Sequence, residues 1–155
     1  MQIGKIFKNI KQAYKNQTFT RLAFDSKKCV KGCIFFAIKG KKFNGNNFIN
    51  EAITNGAKTI ISDRKFEGYK EQILYLYSKN TRLSLSEAAT NYYKIRPKNL
   101  LAVTGTNGKS SIANFYYQIL KLNNKTSSSI GTLGINFNSL MLKTNNTTLD
   151  PITLN

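Results

Sequence analysis

The residues with the clearest chemical potential lie between an apolar run at 100–103 and a helical pattern that begins at residue 110. They are Thr104, Gly105, Thr106, Asn107, Gly108, Lys109, Ser110 and Ser111. A glycine-containing loop between a strand and a helix can turn backbone N–H groups onto phosphate oxygens, and the helix adds its positive end. In such a loop Lys109 would contact the terminal phosphates, and the Ser110 hydroxyl would be a ligand of Mg²⁺.

This loop departs from the common form of the motif, G-x-x-x-x-G-K-S/T. That form requires glycine at position 103, where this chain has Val103, and the extra glycine here is Gly105. The sequence therefore predicts a phosphate-binding loop of a variant form.

The net charge of the chain is strongly positive, +17 over 155 residues, and this raises the hypothesis of a nucleic-acid-binding protein. Arginine, on which groove readers rely for bidentate contacts, is scarce, and the lysines are scattered along the chain. The abundance of Lys, Asn and Ile is typical of an A+T-rich genome. We therefore expect no nucleic-acid partner, and a positive surface that attracts an anionic, phosphate-bearing substrate.

The remaining composition is that of a globular protein, with 41% hydrophobic residues. No apolar run approaches the roughly 20 residues that span a bilayer, and the N-terminus lacks the apolar core of a signal peptide. We expect a cytoplasmic monomer without membrane insertion. Cys29 and Cys33 lie in a chain without histidine, which predicts reduced thiols rather than a zinc site.

The first half of the chain alternates predicted helices and strands. Apolar residues at helical spacing from Ile3 to Tyr14 predict an amphipathic helix. The other predicted elements are strands at 19–24, 33–38, 59–61 and 73–77, a short helix at 48–53 that ends at Asn55-Gly56, and a longer helix near 83–93 that ends before Pro97.

The segment Arg96-Pro97-Lys98-Asn99 is the best candidate for a domain boundary, because a proline in a polar break separates two α/β patterns. The predicted domains are 1–97 and 98–155. The second contains a predicted strand at 100–103, a helix at 110–122 and a strand near 126–130. A P-loop domain needs several parallel strands joined by long crossovers, for which this region is too short. We therefore expect the N-terminal part of a longer protein, which stops as a further helix begins near Pro151.

Residues 104–110, TGTNGKS, resemble the ATP-binding loop of the Mur ligases, which has the form TGTNGK followed by Thr or Ser. Folylpolyglutamate synthases have a similar loop, so this string does not choose between the two. The first half is similar to the N-terminal domain of the E-type Mur ligases. The matching segments are Phe24-Asp25-Ser26-Lys27, Gly32, Phe35-Phe36-Ala37, Gly40 and Asn44-Gly45, followed downstream by Gly131-Thr132-Leu133-Gly134 and Asn146-Thr147-Thr148.

The resemblance implies a fold and an activity. The fold is α/β, a small N-terminal Mur-ligase domain followed by the beginning of a P-loop, Rossmann-like ATP-binding domain. The activity is ATP-dependent addition of diaminopimelate or lysine to UDP-MurNAc-L-Ala-D-Glu in peptidoglycan synthesis. The substrate carboxylate is first phosphorylated, and the amine of the amino acid then attacks the acyl phosphate. The loop N–H groups, Lys109 as the catalytic residue and Mg²⁺ at Ser110 would stabilise the charge of the transferring phosphoryl group.

The family pattern also implies where the UDP-MurNAc-dipeptide binds. These residues are Phe24, Ser26, Lys41, Lys42, Phe43, Asn146, Thr147 and Thr148. Short polar side chains can bind pyrophosphate and uracil, and the lysines add charge beside a diphosphate. Two structural alternatives remain open from the residues alone: Asp25-Ser26 is a good turn pair, and Phe43 can pack under its loop.

The chain is expected to lack parts that the reaction requires, and two alternative functions remain open. The resemblance implies that a Mg²⁺-binding Glu, a carbamylated Lys and an amino-acid-selecting domain come later, so we expect the 155-residue chain to be inactive alone. Other ligases of the superfamily remain alternatives, the D-Ala-D-Ala-adding enzyme or a folylpolyglutamate synthase, although residues 20–62 argue against the latter, which lacks the first domain. A basic nucleotide- or nucleic-acid-binding module without ligase activity is the alternative from a different class, and steep salt dependence of DNA binding would favour it.

Overall fold

The computed structural model describes residues 1–40, 43–137, 140–143 and 149–154. It divides into two compact units, Met1–Ile95 and Arg96–Leu154. The predicted domain limits, 1–97 for the first domain and 98–155 for the beginning of the second, remain a prediction. Five of the predicted substrate-binding residues lie outside the described residues: Lys41, Lys42, Asn146, Thr147 and Thr148.

The first unit contains a five-stranded sheet in the order β1-β2-β3-β5-β4. Its strands are β1 (Leu22–Ala23), β2 (Cys33–Phe36), β3 (Ala57–Ser62), β4 (Gly68–Lys70) and β5 (Ile73–Tyr77). Strands β1, β2, β3 and β5 pair in parallel, and β4 is antiparallel to β5. The four predicted strands are confirmed, although β1 is shorter than predicted.

Strand β4 was not predicted. It is three residues long, and the turn that joins it to β5 places Glu71 and Gln72 at positive φ, 49° and 64°. In such a turn these positions are usually occupied by Asn or Gly. Because neither residue is present there, the sequence carries no hairpin signal.

Both predicted helices of the first unit after the opening segment are confirmed, as α1 (Ile49–Thr54) and α2 (Thr81–Tyr92). Helix α1 ends at Asn55, and Gly56 follows at φ +104°, where an added Cβ would lie 2.7 Å from the backbone of Lys31. Helix α2 begins at an N-cap, because the Asn80 side chain accepts a 3.0 Å hydrogen bond from the backbone N–H of Leu83.

The core of the first unit has two layers, one on each face of the sheet. Phe35 and Ile60 point to the face that packs against Ala52 of α1. Ile34 and Leu74 alternate to the opposite face. Helix α2, which buries Leu85, Ala88 and Ala89, contacts β1 and β2. The sheet is therefore buried on both faces, as its continuous apolar strands predict.

The predicted opening helix is wrong. Residues 1–19 form a closed loop with two 3₁₀ turns, Ile3–Lys5 and Gln12–Tyr14. Its ends are joined by backbone hydrogen bonds from Ile3 to Gln17 (2.8 Å) and from Phe19 to Met1 (2.8 Å). A helix here would align Lys8, Lys11 and Lys15 as like charges on one face, which is destabilising. The apolar periodicity reflects burial instead, since Ile3 is fully buried within the loop.

The second unit begins with an irregular segment and continues as helix and sheet. Its elements are α3 (Lys109–Leu122), β6 (Ser128–Gly131), β7 (Gly134–Phe137), β8 (Leu140–Leu142) and α4 (Pro151–Leu154). Strands β6, β7 and β8 form an antiparallel sheet in that order. Helix α3 and strand β6 confirm two predictions, whereas β7 and β8 were not predicted.

The predicted strand at 100–103 does not form in the described structure. Leu100 and Leu101 are 88% and 60% exposed, and neither pairs with a described strand. An apolar run becomes a strand only where a partner offers backbone groups to pair with. The α/β fold class itself is confirmed. None of the described helices has the length and apolarity needed to cross a bilayer.

Candidate nucleotide-binding sites

The N-terminus of α3 presents unpaired backbone donors to solvent. The first backbone hydrogen bond of the helix runs from Ile112 N to Gly108 O, 2.9 Å. The N–H groups of Lys109, Ser110 and Ser111 therefore have no acceptor within the helix. No side chain caps this end, and residues 104–111 are exposed. Free N–H groups and the positive end of the helix dipole together make a site for an anion.

Two glycines give this loop its shape. Gly108 is the N-cap residue of α3 at φ +77°, and Gly105 lies at φ +149°. A Cβ added to Gly108 would meet no atom within 4 Å. The backbone conformation therefore requires glycine at position 108, and lack of space does not. The shifted Gly105 likewise adopts a positive φ, which favours glycine.

The Lys109 side chain folds back over the loop. Its ammonium donates hydrogen bonds to the carbonyl oxygens of Gly105 and of Thr106, the latter at 3.1 Å. The cation is thus held beside the free N–H groups of the helix end. A positive charge and oriented N–H groups in one place fit the phosphates of a nucleotide.

The Ser110 hydroxyl is what the chain offers to a cation here. Among the described residues, no group of three or more His, Cys, Asp or Glu side chains could hold a metal ion. A single hydroxyl fits a Mg²⁺ that keeps mainly water and phosphate oxygens as ligands. Predicted metal binding at Ser110 remains a prediction.

A small crevice beside this helix brings two predicted motifs together. Ser110 and Asn114 of α3 line a space of about 20 Å³ with the β6–β7 turn, residues 131–134. Helix α3 contacts β6, and Asn136 of β7 donates a 3.1 Å hydrogen bond from Nδ2 to Ser129 Oγ. The sequence pointed to Ser110 and to residues 131–134 separately. It gave no signal for Asn114 or Asn136.

A second candidate site lies at the carboxyl edge of the sheet in the first unit. Phe24 follows β1, the loop 37–47 follows β2, and Asp63 and Arg64 follow β3. Because these strands are parallel, their carboxyl ends share one edge, which is where open α/β sheets bind ligands. Phe24 is half-buried at this edge.

Ser26 is held tightly within the fold. It is 5% exposed, and its hydroxyl donates a 2.8 Å hydrogen bond to Glu51 Oε2 of α1. The Asn55 side-chain amide donates to the Ser26 carbonyl oxygen at 3.0 Å. Asp25 caps the 3₁₀ turn Ser26–Lys28, since its Oδ1 accepts from Lys27 N at 3.0 Å. The predicted turn pair is therefore present, and a contact of Ser26 with substrate stays a prediction.

The loop after β2 is anchored at its base, and Phe43 within it is exposed. Gly45 N donates to Ile38 O at 2.9 Å, and a Cβ on Gly45 would lie 2.5 Å from Ile38 N. Asn46 Nδ2 donates to Asp63 Oδ1 at 2.7 Å, which ties the loop to the end of β3. Phe43 is 72% exposed, so the alternative that it packs under the loop is wrong.

Two protein-family models match different parts of the chain. Residues 18–96 match the Mur ligase family, catalytic domain, and residues 103–155 match the Mur ligase middle domain. The UDP-N-acetylmuramoyl-L-alanyl-D-glutamate–2,6-diaminopimelate ligase of Rickettsia prowazekii (strain Madrid E) is 39% identical over 127 residues, which cover 82% of this chain and 26% of that protein. The chain thus spans about a quarter of the length of this curated relative.

Two solved structures are also similar. The MurF ligase from Thermotoga maritima in complex with ADP superposes with a TM-score of 0.54 and 33% identity, covering 69% of this chain and 24% of that one. A structure of UDP-N-acetylmuramoyl-L-alanyl-D-glutamate–2,6-diaminopimelate ligase gives a TM-score of 0.76 at 24% identity, covering 99% of this chain and 32% of that one, and shows the common fold. Since the catalytic-domain family alone accounts for about half of the residues, the chain belongs to the Mur ligase family.

Proposed function

We propose that the chain supplies the UDP-sugar-binding and ATP-phosphate-binding parts of a longer cytoplasmic, monomeric ligase. This ligase adds an amino acid to UDP-MurNAc-L-Ala-D-Glu at the expense of ATP in peptidoglycan synthesis. The relative from Rickettsia prowazekii is a diaminopimelate ligase by name, which favours diaminopimelate over lysine. The observation that carries the proposal is the free N-terminus of α3 with Lys109 folded beside it.

The proposed phosphate site consists of the unpaired N–H groups at the start of α3 and the Lys109 ammonium. The N–H groups of Lys109, Ser110 and Ser111 bind phosphate oxygens without reorganisation, because the helix leaves them unpaired. Lys109 exchanges its carbonyl partners for a phosphate oxygen and so acts on the charge of the transferring group. Mg²⁺, when bound with the nucleotide, would neutralise phosphate charge, and the Ser110 hydroxyl is the side chain proposed as its ligand.

The sugar nucleotide is proposed to bind at the carboxyl edge of the first sheet. The residues proposed for it in the first unit are Phe24, Ser26, Lys41, Lys42 and Phe43. Asn146, Thr147 and Thr148 are proposed as further ligand contacts from the family resemblance alone. The exposed ring of Phe43 supports this, since an exposed aromatic side chain on an anchored loop offers a stacking surface for a base.

Calorimetric titration of the 155-residue chain tests this proposal. We expect Mg²⁺-ADP and UDP-MurNAc-L-Ala-D-Glu to bind together, each at its own site, with one equivalent of each per chain. Circular dichroism and a cooperative thermal transition establish that the protein is folded. A folded chain that binds neither ligand, but binds DNA with steep salt dependence, would contradict the proposal. Ligation by the complete enzyme with diaminopimelate, compared with lysine, then decides the amino acid.

A further inference from the structure

The turn that carries Ser26 is fastened to α1 by two hydrogen bonds. Ser26 Oγ donates to Glu51 Oε2 at 2.8 Å, and Asn55 Nδ2 donates to the Ser26 carbonyl oxygen at 3.0 Å. Asn55 is itself fixed, because its backbone N–H donates to Glu51 O at 2.9 Å and ends the helix. Both partners of Ser26 therefore belong to α1, Glu51 to its first turn and Asn55 to its C-cap.

The direction of the Ser26–Glu51 bond limits what the serine can do. A serine hydroxyl has one proton to donate and two lone pairs that accept, whereas an ionised carboxylate only accepts. While the proton goes to Glu51, the Ser26 oxygen can act toward a ligand only as an acceptor. A diphosphate oxygen is also an acceptor and is negatively charged, so it makes a poor partner for Ser26 beside the Glu51 carboxylate.

We propose that Glu51 is a positioning residue that sets the Ser26 hydroxyl as an acceptor for an N–H or O–H donor of the uridine moiety. The diphosphate is then bound by other groups. This inference rests on the proposed function, namely that the first unit binds the UDP-sugar. It assigns to Glu51 a role in ligand recognition that its own exposed position on α1 does not reveal.

The test compares ligand affinities of four variants of the chain: Ser26→Ala, Glu51→Ala, Glu51→Gln and the double variant Ser26→Ala/Glu51→Ala. Affinities for UDP and for uridine are measured by NMR titration with saturating Mg²⁺-ADP, which blocks the phosphate site at α3. Glu87→Ala is the matched control, since Glu87 is an exposed carboxylate on α2. Thermal unfolding of each variant checks that it is folded.

We expect Ser26→Ala and Glu51→Ala each to weaken UDP binding about tenfold. The double variant should lose no more than the weaker-binding single variant, because both changes remove the same contact. Glu51→Gln should bind within about threefold of the wild type, because its amide oxygen accepts the same proton. The loss in Ser26→Ala should be equally large with uridine, which has no phosphate. Glu87→Ala should bind like the wild type.

Three results would overturn the inference while leaving the proposed function intact: unchanged UDP affinity in Glu51→Ala, single losses that add in the double variant, or a Ser26→Ala loss seen with UDP and absent with uridine. The last would mean that Ser26 donates to the diphosphate. If the folded wild-type chain does not bind UDP at all, the proposed function fails and the inference falls with it.

Discussion

The ammonium of Lys109 donates a 3.1 Å hydrogen bond to the carbonyl oxygen of Thr106, three residues earlier in the chain. Its second acceptor is the carbonyl oxygen of Gly105, so the side chain closes over its own loop. Within the described part of the chain, no carboxylate forms an ion pair with Lys109. Its charge is thus matched only by carbonyl dipoles, and an incoming phosphate offers it a stronger partner.

Replacement of Lys109 by methionine, which keeps length and removes charge, should weaken Mg²⁺-ADP binding by about tenfold or more. Affinity for the UDP-sugar should be unchanged, because Lys109 has no proposed part in that site. Titration calorimetry of both ligands measures this. Lys125→Met, a change at another exposed lysine of the second unit, is the control and should leave both affinities as they are. Equal ADP binding by Lys109→Met and wild type would refute the phosphate-loop assignment.

Gly108 offers a test of conformation without crowding. Neither Gly108 nor Gly131 would place a Cβ within 4 Å of another atom, but only Gly108 has a positive φ, +77°. Gly108→Ala should therefore cost about 1 kcal/mol in backbone strain and tilt the free N–H groups of α3, which lowers ADP affinity. Gly131→Ala should change stability by less than about 0.5 kcal/mol. Urea unfolding and ADP titration of the pair give both quantities, and identical behaviour would show that the turn tolerates a side chain.

Local sequence patterns predicted the parts of the fold that local forces decide. The buried strand β2 and the helix α1, with its stop at Asn55-Gly56, are examples, because an apolar run and a glycine C-terminus are visible in a few residues. The prediction of an opening helix was wrong because Ile3 is buried when the loop closes onto Gln17, a contact between residues far apart in the sequence. Strand β4 was missed because Glu71 and Gln72, which form its turn, are not typical turn residues.

The candidate sites show the same limit. The loop at 104–111 is continuous in sequence, and its donors and lysine could be predicted together. The Ser26–Glu51 pair spans 25 residues and depends on how α1 docks against the turn after β1. No periodicity or spacing predicts that contact. Family resemblance pointed to Ser26 without indicating that its only proton is already donated.

Thr59 is a buried hydroxyl without a partner. It lies on β3 with no exposed surface, and its Oγ1 neither donates nor accepts a hydrogen bond among the described residues. Thr59→Val replaces the hydroxyl with a methyl of similar size, so it should raise the free energy of unfolding by about 1 kcal/mol. Thr20→Val is the control, because Thr20 Oγ1 donates a 2.9 Å hydrogen bond to Lys31 O, and its loss should not stabilise the protein. Chemical denaturation measures both; a destabilised Thr59→Val would mean that the hydroxyl has a water partner.

The buried thiol of Cys29 makes stability depend on alkaline pH. A hydrogen bond to the Cys33 sulfur, together with burial, raises the pKa of Cys29 above its ordinary value of 9.0. Above that pH the unfolded chain loses this proton while the folded chain keeps it, so the free energy of unfolding should fall as pH rises, by at most about 1.4 kcal/mol per unit for one proton. Below it the contribution is fully present. The same contact lowers the pKa of Cys33 to about 7, which makes stability rise with pH only below about 9. Urea unfolding of wild type and Cys29→Ala between about pH 9 and 10.5, under reducing conditions, therefore isolates the effect of Cys29. The wild-type curve should bend downward more steeply than that of the variant, and parallel curves would show that Cys29 titrates alike in both states.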